Sequence, residues 1–178
     1  MVSAALDLDI RRIVTDSDFD GVVTAAILRR WWSGAEVIFG HPGELRAGLL
    51  DQHIDRRTAI CDLPRHPACG LSIDHHQSNK PSGKGGSDSI DIWRDTPSAA
   101  RIAFDLVSQR VDLSDLEELL EWVDKLDGGG VSRVEYLSDH PSIWLGRVID
   151  VGEGTAMRVL ESLQNGEGVE SILSEPDI

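Results

Sequence analysis

Positive charge is scarce in this sequence. The 17 Lys and Arg residues are outnumbered by 31 Asp and Glu residues, which gives a net charge of −14. A molecule of this sign repels duplex DNA and other large polyanions unless metal ions or a local basic patch reverse the field. We therefore expect a small substrate and no duplex DNA partner.

Long apolar segments are also absent from the sequence. No run approaches the ~20 apolar residues that span a bilayer. The opening residues, Met1-Val2-Ser3, lack the charged and apolar regions of a secretory signal. We expect no membrane association and a cytoplasmic location.

Cysteine is nearly absent, since only Cys61 and Cys69 occur, too few for a disulfide scaffold. Segment 61–69 could supply zinc ligands, but it lacks a close Cys-x-x-Cys pair, and ordinary reduced thiols are the simpler interpretation. With 178 residues and 40% hydrophobic content, the chain is large enough to build its own core as one domain.

Short apolar segments with strand character are present, and helical patterns separate the first three of them. The predicted strands are 10–15, 35–39, 58–61, 70–73 and 90–93, with early helices at 21–32 and 44–51. This alternation predicts an α/β fold: a parallel sheet of about five strands, covered by helices on both faces. A short, loose segment is expected before the first strand.

The second half of the chain is predicted to be mainly helical. Thr96 as the cap and Pro97 at the first helical position start one helix. Ser114-x-x-Glu117 has the form of a capping box for the next, and three further helical patterns lie within 131–178. We expect a helical C-terminal segment rather than a separate domain.

Acidic and imidazole side chains follow three of the predicted strands, at the point where each strand ends. They are Asp16, Asp18 and Asp20 after the first strand, Asp62 after the third, and Asp74, His75 and His76 after the fourth. The carboxyl ends of parallel strands open on one edge of the sheet, the usual ligand crevice. We therefore expect these side chains to meet there.

Carboxylates and imidazoles without a thiolate cluster suit hard or borderline divalent ions such as Mn²⁺ or Mg²⁺. Several anionic ligands can hold two such ions ~3.5–4 Å apart, which activate a water and stabilise phosphoryl displacement. Crowded acids are costly unless metal or protons neutralise them. A metal centre is thus favoured over a chance surface patch.

Each motif taken alone has a simpler interpretation. Asp16-x-Asp18-x-Asp20-Gly21 matches the opening of a calcium EF-hand loop, but Ile27 occupies the position of the final Glu and the loop follows a strand. Single aspartates are common in turns and helix caps. It is the joint placement after three strands that favours a metal site.

The order and context of these motifs resemble the first three motifs of the DHH phosphoesterase family. The resemblance covers about residues 9–127. The family includes exonucleases of the RecJ type, oligoribonucleases, cyclic-dinucleotide phosphodiesterases, exopolyphosphatases and manganese-dependent family II pyrophosphatases. We therefore interpret 1–178 as a single DHH-type phosphoesterase domain, with its core at about 9–127 and a helical C-terminal extension at 131–178.

The resemblance implies a role for each matching residue. Asp18, Asp20, Asp62 and His75 would bind metal, and Asp62 would bridge two Mn²⁺ ions, with Mg²⁺ or Co²⁺ as substitutes. His76 would contact the scissile phosphate or the leaving group, so that Asp62 and His76 are the catalytic candidates.

At two positions of the family pattern the matching residue in this sequence is less obvious. Asp124 is the best match to the aspartate of the fourth motif, with Asp127 as a substitute. Many family members carry a His at the position of Val14, and the resemblance to RecJ-like members implies that Asp16 would take over that role here.

The resemblance departs most at the C-terminus, because the family usually adds a second, substrate-binding domain. Gly128-Gly129-Gly130 followed by Val131 does not match the glycine-rich motif of that domain, and 131–178 is short for one. We expect either a minimal catalytic domain completed by another subunit, for example in a homo-oligomer, or a truncated chain.

The function implied is hydrolysis of phosphodiester bonds in short single-stranded oligonucleotides or small nucleotides by a two-metal-activated water. A pyrophosphatase or exopolyphosphatase is an alternative, which would need cations such as Lys80, Lys84 and Arg101 around the leaving phosphate. Segment 77–88 is rich in Ser, Gly and Lys, and either meets phosphate or is a solvated linker. A non-catalytic binding module is the alternative from another class.

Overall fold

The computed structural model of the chain describes residues 2–81, 89–176 and 178. Its sheet has the strand order β2-β1-β3-β4-β5, and every neighbouring pair is parallel. The strands are β1 (Arg12–Thr15), β2 (Glu36–Phe39), β3 (Thr58–Cys61), β4 (Leu71–Asp74) and β5 (Ile90–Trp93). The predicted five-stranded parallel sheet is therefore confirmed.

Helices cover the two faces of the sheet unequally. They are α1 (Phe19–Arg29), α2 (Pro42–Arg46), α3 (Ala99–Val107), α4 (Glu117–Asp127), α5 (Arg133–Tyr136), α6 (Pro141–Ile149), α7 (Glu153–Gln164) and α8 (Val169–Leu173). The larger core lies on the face covered by α1 and α3, with α4, α6 and α7 packed behind them. A smaller core around Val14, Ile60 and Leu45 lies under α2 on the other face.

The strand order determines where a ligand crevice opens. The chain passes from β1 outward to β2 and then returns to β3 on the other side of β1, so the connections diverge between β1 and β3. In open α/β sheets such a switch point is where ligands bind, at the carboxyl ends of the strands. The residues that follow β1 and β3 therefore flank the crevice.

The segment before β1 is packed rather than loose. Residues Val2–Asp7 form a 3₁₀ turn in which Ala5 and Leu6 are buried. The indole N–H of Trp31 donates to the carbonyl of Leu6, and that of Trp32 donates to the carbonyl of Leu8. The prediction of a loose start was wrong because these indoles, just beyond α1, anchor the segment to the core.

Two predicted helix starts also differ from the structure. Ser98, not Thr96, caps α3, and its hydroxyl accepts the backbone N–H of Arg101. At the next helix a 3₁₀ turn over Ser114–Leu116 replaces the predicted capping box, and the Ser114 N–H donates to the Asp112 carboxylate. Both caps depend on contacts that a four-residue pattern does not distinguish.

Among the residues that the structure describes, no helix is both long and apolar enough to cross a bilayer. Part of the predicted Ser-, Gly- and Lys-rich loop, 82–88, lies outside the described residues, as does its Lys84. Gln77–Asn79 at the start of that loop form a short 3₁₀ turn.

Candidate metal centre

Carboxylates and imidazoles from four separate segments converge at the carboxyl edge of the sheet. Two sets of three ligand atoms each lie within 4.8 Å of one another: Asp62 with His75 and His76, and Asp20 with His75 and Asp127. His75 belongs to both sets and joins them. We refer to the five residues together as the acidic cluster.

His75 is held with one ring nitrogen pointing into the acidic cluster. Its Nδ1 lies 3.1 Å from the carbonyl of Thr96, which can only accept, so Nδ1 carries the hydrogen and Nε2 of the neutral ring carries a lone pair. Nε2 faces oxygens of Asp127, Asp20 and Asp62 at 3.2, 3.5 and 3.5 Å. Fixing a histidine tautomer through the other nitrogen is typical of metal-binding imidazoles.

Asp62 occupies an unusual backbone conformation at the end of β3. Its φ is +56°, the left-handed region that disfavours side chains other than Asn and Asp, and such conformations cost about 1 kcal/mol or more. Its backbone N–H donates to Ile73 on the neighbouring strand, which holds the turn in place. The carboxylate is thereby turned into the crevice while it remains buried.

Two atoms of the acidic cluster are buried with nothing to satisfy them. Within the described part of the chain, neither Asp62 Oδ1 nor His75 Nε2 has a hydrogen-bond partner, although leaving a buried polar atom unpaired is costly. Burial, reinforced by the neighbouring charge of Asp20, raises the pKa of Asp62 well above its ordinary value. Buried oxygen and imidazole donors of this kind fit a hard or borderline divalent ion.

Asp20 connects α1 to the start of α3. Its two carboxylate oxygens accept the backbone N–H groups of Ala99 and Ala100 at 2.7 and 2.8 Å, where the helix dipole favours an anion. Burial and the nearby Asp127 nevertheless raise the pKa of Asp20 to about 7. In the absence of a cation, the acidic cluster therefore holds protons near neutral pH.

Asp74 acts on His76 rather than on the crevice. Its Oδ1 accepts the His76 Nδ1–H at 2.9 Å and the backbone N–H groups of His75 and His76, while Oδ2 accepts from Asn79. Burial alone would raise the pKa of Asp74, but these hydrogen bonds outweigh it and hold the pKa below its ordinary value. The same bond raises the pKa of His76. From the sequence we expected Asp74 to meet the other acids at the sheet edge, and its role in holding His76 was not predicted.

The structure separates the two aspartates considered for the fourth motif. Asp124 accepts from the Ser98 hydroxyl at 2.6 Å and from Arg101 Nε at 2.8 Å, so its carboxylate is engaged by α3. Asp127, one turn later, lies in the acidic cluster. Asp124, the residue predicted for the fourth motif, is therefore paired with an arginine, whereas its predicted substitute Asp127 faces His75.

Asp16 and Asp18 lie beside the acidic cluster. Asp18 is the N-cap of α1 and accepts the Gly21 N–H, and it lines the same cavity as Asp20 and Asp127. Asp16 lies 3.1 Å from His41 Nδ1, at the junction of β2 and α2. His41 was not found from the sequence, since 25 residues separate it from Asp16.

Two of the cations singled out in the sequence, Arg101 and Lys80, contact other residues, and both cysteines are buried. Arg101 is paired with Asp124, and the Lys80 ammonium lies 4.8 Å from the centre of the Trp93 ring. Cys61 and Cys69 are free thiols buried in the core. No group of three or more candidate ligands within the described residues includes either cysteine.

A wide cleft and a smaller cavity open on the acidic cluster. The cleft has a volume of about 790 Å³ and is lined by His75, His76, Lys125 and Asp127 among others. The cavity has a volume of about 200 Å³ and opens beside Asp18, Asp20 and Asp127. A ligand in the cleft would therefore lie against the acidic cluster.

These features define a class of protein: an α/β domain with a carboxylate and imidazole centre suited to divalent metal at the switch point of its sheet. Its ordered motifs are those of the DHH phosphoesterases. No family model matches the sequence, and no curated protein matches it. Solved structures provide the comparison.

The fold is similar to that of PggH, a pGpG-specific phosphodiesterase from Vibrio cholerae, with 27% sequence identity and a TM-score of 0.74. The likeness covers 93% of this chain and 56% of that one, so the chain spans little more than half the length of PggH. In its fold and in the order of its motifs the chain is similar to DHH-family phosphoesterases. The exonuclease RecJ bound to manganese is more distant, at 18% identity and a TM-score of 0.47 over 97% of this chain and 58% of that one, and supports no inference.

Proposed function

We propose that this chain is the catalytic domain of a metal-dependent phosphodiesterase that hydrolyses short oligonucleotides or small nucleotides. The observation that carries the proposal is the convergence of buried, unpartnered donors, Asp62 Oδ1 and His75 Nε2, with further carboxylates at the switch point of the sheet. So many buried acids are costly in a fold unless a cation neutralises them.

The residues that would hold divalent ions are Asp18, Asp20, Asp62, His75 and Asp127, with Asp16 beside them. Ions such as Mn²⁺ or Mg²⁺ supply Lewis-acid activation of water and neutralise charge on the phosphoryl group. Asp62 lies between His75 and His76, with its Oδ1 3.5 Å from a nitrogen of each, and His75 belongs to both sets of candidate ligands. Asp20 links these ligands to α3.

His76 is the proposed proton donor to the leaving oxygen. The carboxylate of Asp74 engages Nδ1 and raises the pKa of the imidazole, so that Nε2 is left to face a substrate in the cleft. A general acid of this kind typically contributes ~10²–10⁴-fold to the rate.

Short nucleotides fit the surroundings of the site better than duplex DNA does. The net charge of −14 repels a long polyanion, and PggH, which shares the fold, is specific for pGpG. A pyrophosphatase is less well supported, because Arg101 is already paired with Asp124.

The test is hydrolysis by purified protein, with and without Mn²⁺, of pGpG, pApA, a short RNA, bis-p-nitrophenyl phosphate and pyrophosphate. We expect turnover of the dinucleotides that needs the metal and is abolished in Asp62→Asn. The matched control is Asp7→Asn, an exposed aspartate beside the opposite end of α1, which should keep full activity. Bound Mn²⁺ without turnover of any substrate would favour a binding module instead.

A further inference from the structure

The small cavity beside the acidic cluster is lined by side chains of two different kinds. Its lining includes the carboxylates of Asp18, Asp20 and Asp127 and the planar side chains of Phe19, Tyr136 and Arg147. The cavity lies between the start of α1, the end of α4 and the α5–α6 pair. The cavity therefore brings carboxylates, which can hold a metal ion and through it a phosphate, close to planar side chains.

Two of the planar side chains are held together by contacts between α5 and α6. The Arg147 guanidinium donates to the carbonyl of Tyr136 at 2.5 Å and lies 5.4 Å from the centre of the Tyr136 ring and 4.7 Å from that of Trp144. Tyr136 and Trp144 are still 50% and 44% exposed. Of these two aromatic residues Tyr136 lines the cavity, and its ring is held by Arg147 while half of it stays exposed.

Phe19 connects these planar side chains to the acidic cluster. It lies in sequence between Asp18 and Asp20, at the first turn of α1, and is partly buried against the main core. It also lines the same cavity as the two candidate metal ligands next to it in the sequence. A planar group against Phe19 would therefore be close enough to a phosphate held at the acidic cluster to belong to the same small molecule.

A glycine keeps the cavity open. Gly146 lines it from the interior of α6, where glycine weakens a helix relative to alanine. A Cβ at this position would stand 3.6 Å from the Phe19 ring, in ordinary contact, so alanine fits and a larger side chain would extend into the cavity. Gly146 is thus packed close to the Phe19 ring, and a side chain larger than alanine would have to displace that ring or enter the cavity.

We propose that this cavity binds one nucleobase of the nucleotide whose phosphate lies at the acidic cluster. The inference rests on the proposed function and adds the part of the substrate that is recognised. Aromatic rings and guanidinium groups are the usual stacking partners of bases. A volume of about 200 Å³ is below the ~300–1,000 Å³ of pockets that enclose whole ligands, so it takes a single base.

Binding of GMP and of ribose 5-phosphate, which differ only in the base, tests the inference in the presence of Mn²⁺ by calorimetry. We expect wild-type protein to bind GMP at least about fivefold more tightly, since stacking contributes about 1–3 kcal/mol per base. Gly146→Leu should remove this preference and leave the affinity for ribose 5-phosphate within about twofold. Gly146→Ala, which fits the space, should retain most of the preference.

Tyr136→Ala provides a second variant, because a half-exposed residue can be truncated with little risk to folding; it should also lower the preference. Circular dichroism and the Tm establish that each variant is folded. Equal affinities for GMP and ribose 5-phosphate, no binding of either, or a preference unchanged in both Gly146→Leu and Tyr136→Ala would overturn the base pocket.

Hydrolysis of pGpG separates this inference from the proposed function. If the base pocket is right and the chain is not a hydrolase, the GMP preference is present without turnover. If the chain is a hydrolase and the base pocket is wrong, Mn²⁺-dependent turnover occurs and Gly146→Leu leaves the KM for pGpG unchanged. If both are right, Gly146→Leu raises that KM at least about fivefold while Asp62→Asn abolishes turnover.

Discussion

Asp124 and Asp127 lie one turn apart at the end of α4 and have opposite surroundings. Asp124 is neutralised by Arg101 and hydrogen-bonded to Ser98. Asp127 is near other carboxylates, and burial raises its pKa although His75 and His76 act in the opposite direction. An acid whose negative charge is unfavourable in the empty fold is the one that gains most from a cation.

The pair gives a matched test of the metal ligand. Asp127→Asn should weaken Mn²⁺ binding at least about tenfold and lower kcat by about 100-fold or more, because it removes an anionic donor. Asp124→Asn should keep the metal but lose about 1.5–3 kcal/mol of stability, since it breaks charged hydrogen bonds. Metal content, turnover and thermal unfolding, measured on both variants, show which aspartate binds the metal. Loss of metal only in Asp124→Asn would reverse the assignment.

His76 is expected to act on the leaving group and not on metal affinity. His76→Asn should lower the rate of pGpG hydrolysis by about 10²–10⁴-fold and leave the Mn²⁺ content unchanged. The loss should be much smaller with bis-p-nitrophenyl phosphate, because p-nitrophenolate leaves without a proton. An equal loss with both substrates would exclude the role of proton donor.

At the scale of elements, the first turn of α3 connects the sheet edge to α4. Ser98 caps the helix and binds Asp124, and the next two N–H groups bind Asp20. The position of one candidate ligand, Asp20, therefore depends on α3.

Removing the Ser98 hydroxyl should affect both stability and metal binding. Ser98→Ala is expected to cost about 1–2 kcal/mol and to weaken Mn²⁺ binding about tenfold, since it loosens groups that orient the ligands. Ser132→Ala removes the cap of α5 instead and should lower stability without changing Mn²⁺ affinity. The same Mn²⁺ affinity in wild type and Ser98→Ala would contradict this link.

Features set by residues close together in the sequence could be predicted, whereas features set by residues far apart could not. The five strands could be located because strand segments and their turns are local patterns. The sequence could not show that Asp127 rather than Asp124 faces the acidic cluster, because Asp124 is engaged by Arg101, 23 residues away. Two further contacts span similar separations: that of His41 with Asp16, and that of the Trp31 indole with the carbonyl of Leu6. No short sequence pattern contains contacts of this range.

At the scale of the whole molecule, the acidic cluster makes stability depend on pH when no metal is bound. The pKa of Asp20 is about 7 in the folded chain, against an ordinary value of 3.8. Between these values the folded state keeps a proton that the unfolded chain has released, so stability falls as the pH rises. The raised pKa values of Asp62 and His76 act in the same direction.

Metal-free protein should therefore have a lower Tm at pH 8 than at pH 5.5, measured in EDTA. Mn²⁺ at 100 times its Kd should restore about 2.7 kcal/mol at pH 8, because the cation takes the place of the protons. Asp62→Asn should show a flatter pH dependence and a smaller effect of Mn²⁺. Metal-free protein that is no less stable at pH 8 would contradict this account.

The left-handed backbone at Asp62 also has a meaning for descent. Glycine or asparagine would adopt the same turn with no buried charge, and glycine would relieve the strain as well. In any lineage that kept this fold but gave up its chemistry, drift toward those residues would be rewarded by stability alone. The residue at this position should therefore mark which descendants of the domain still act as catalysts.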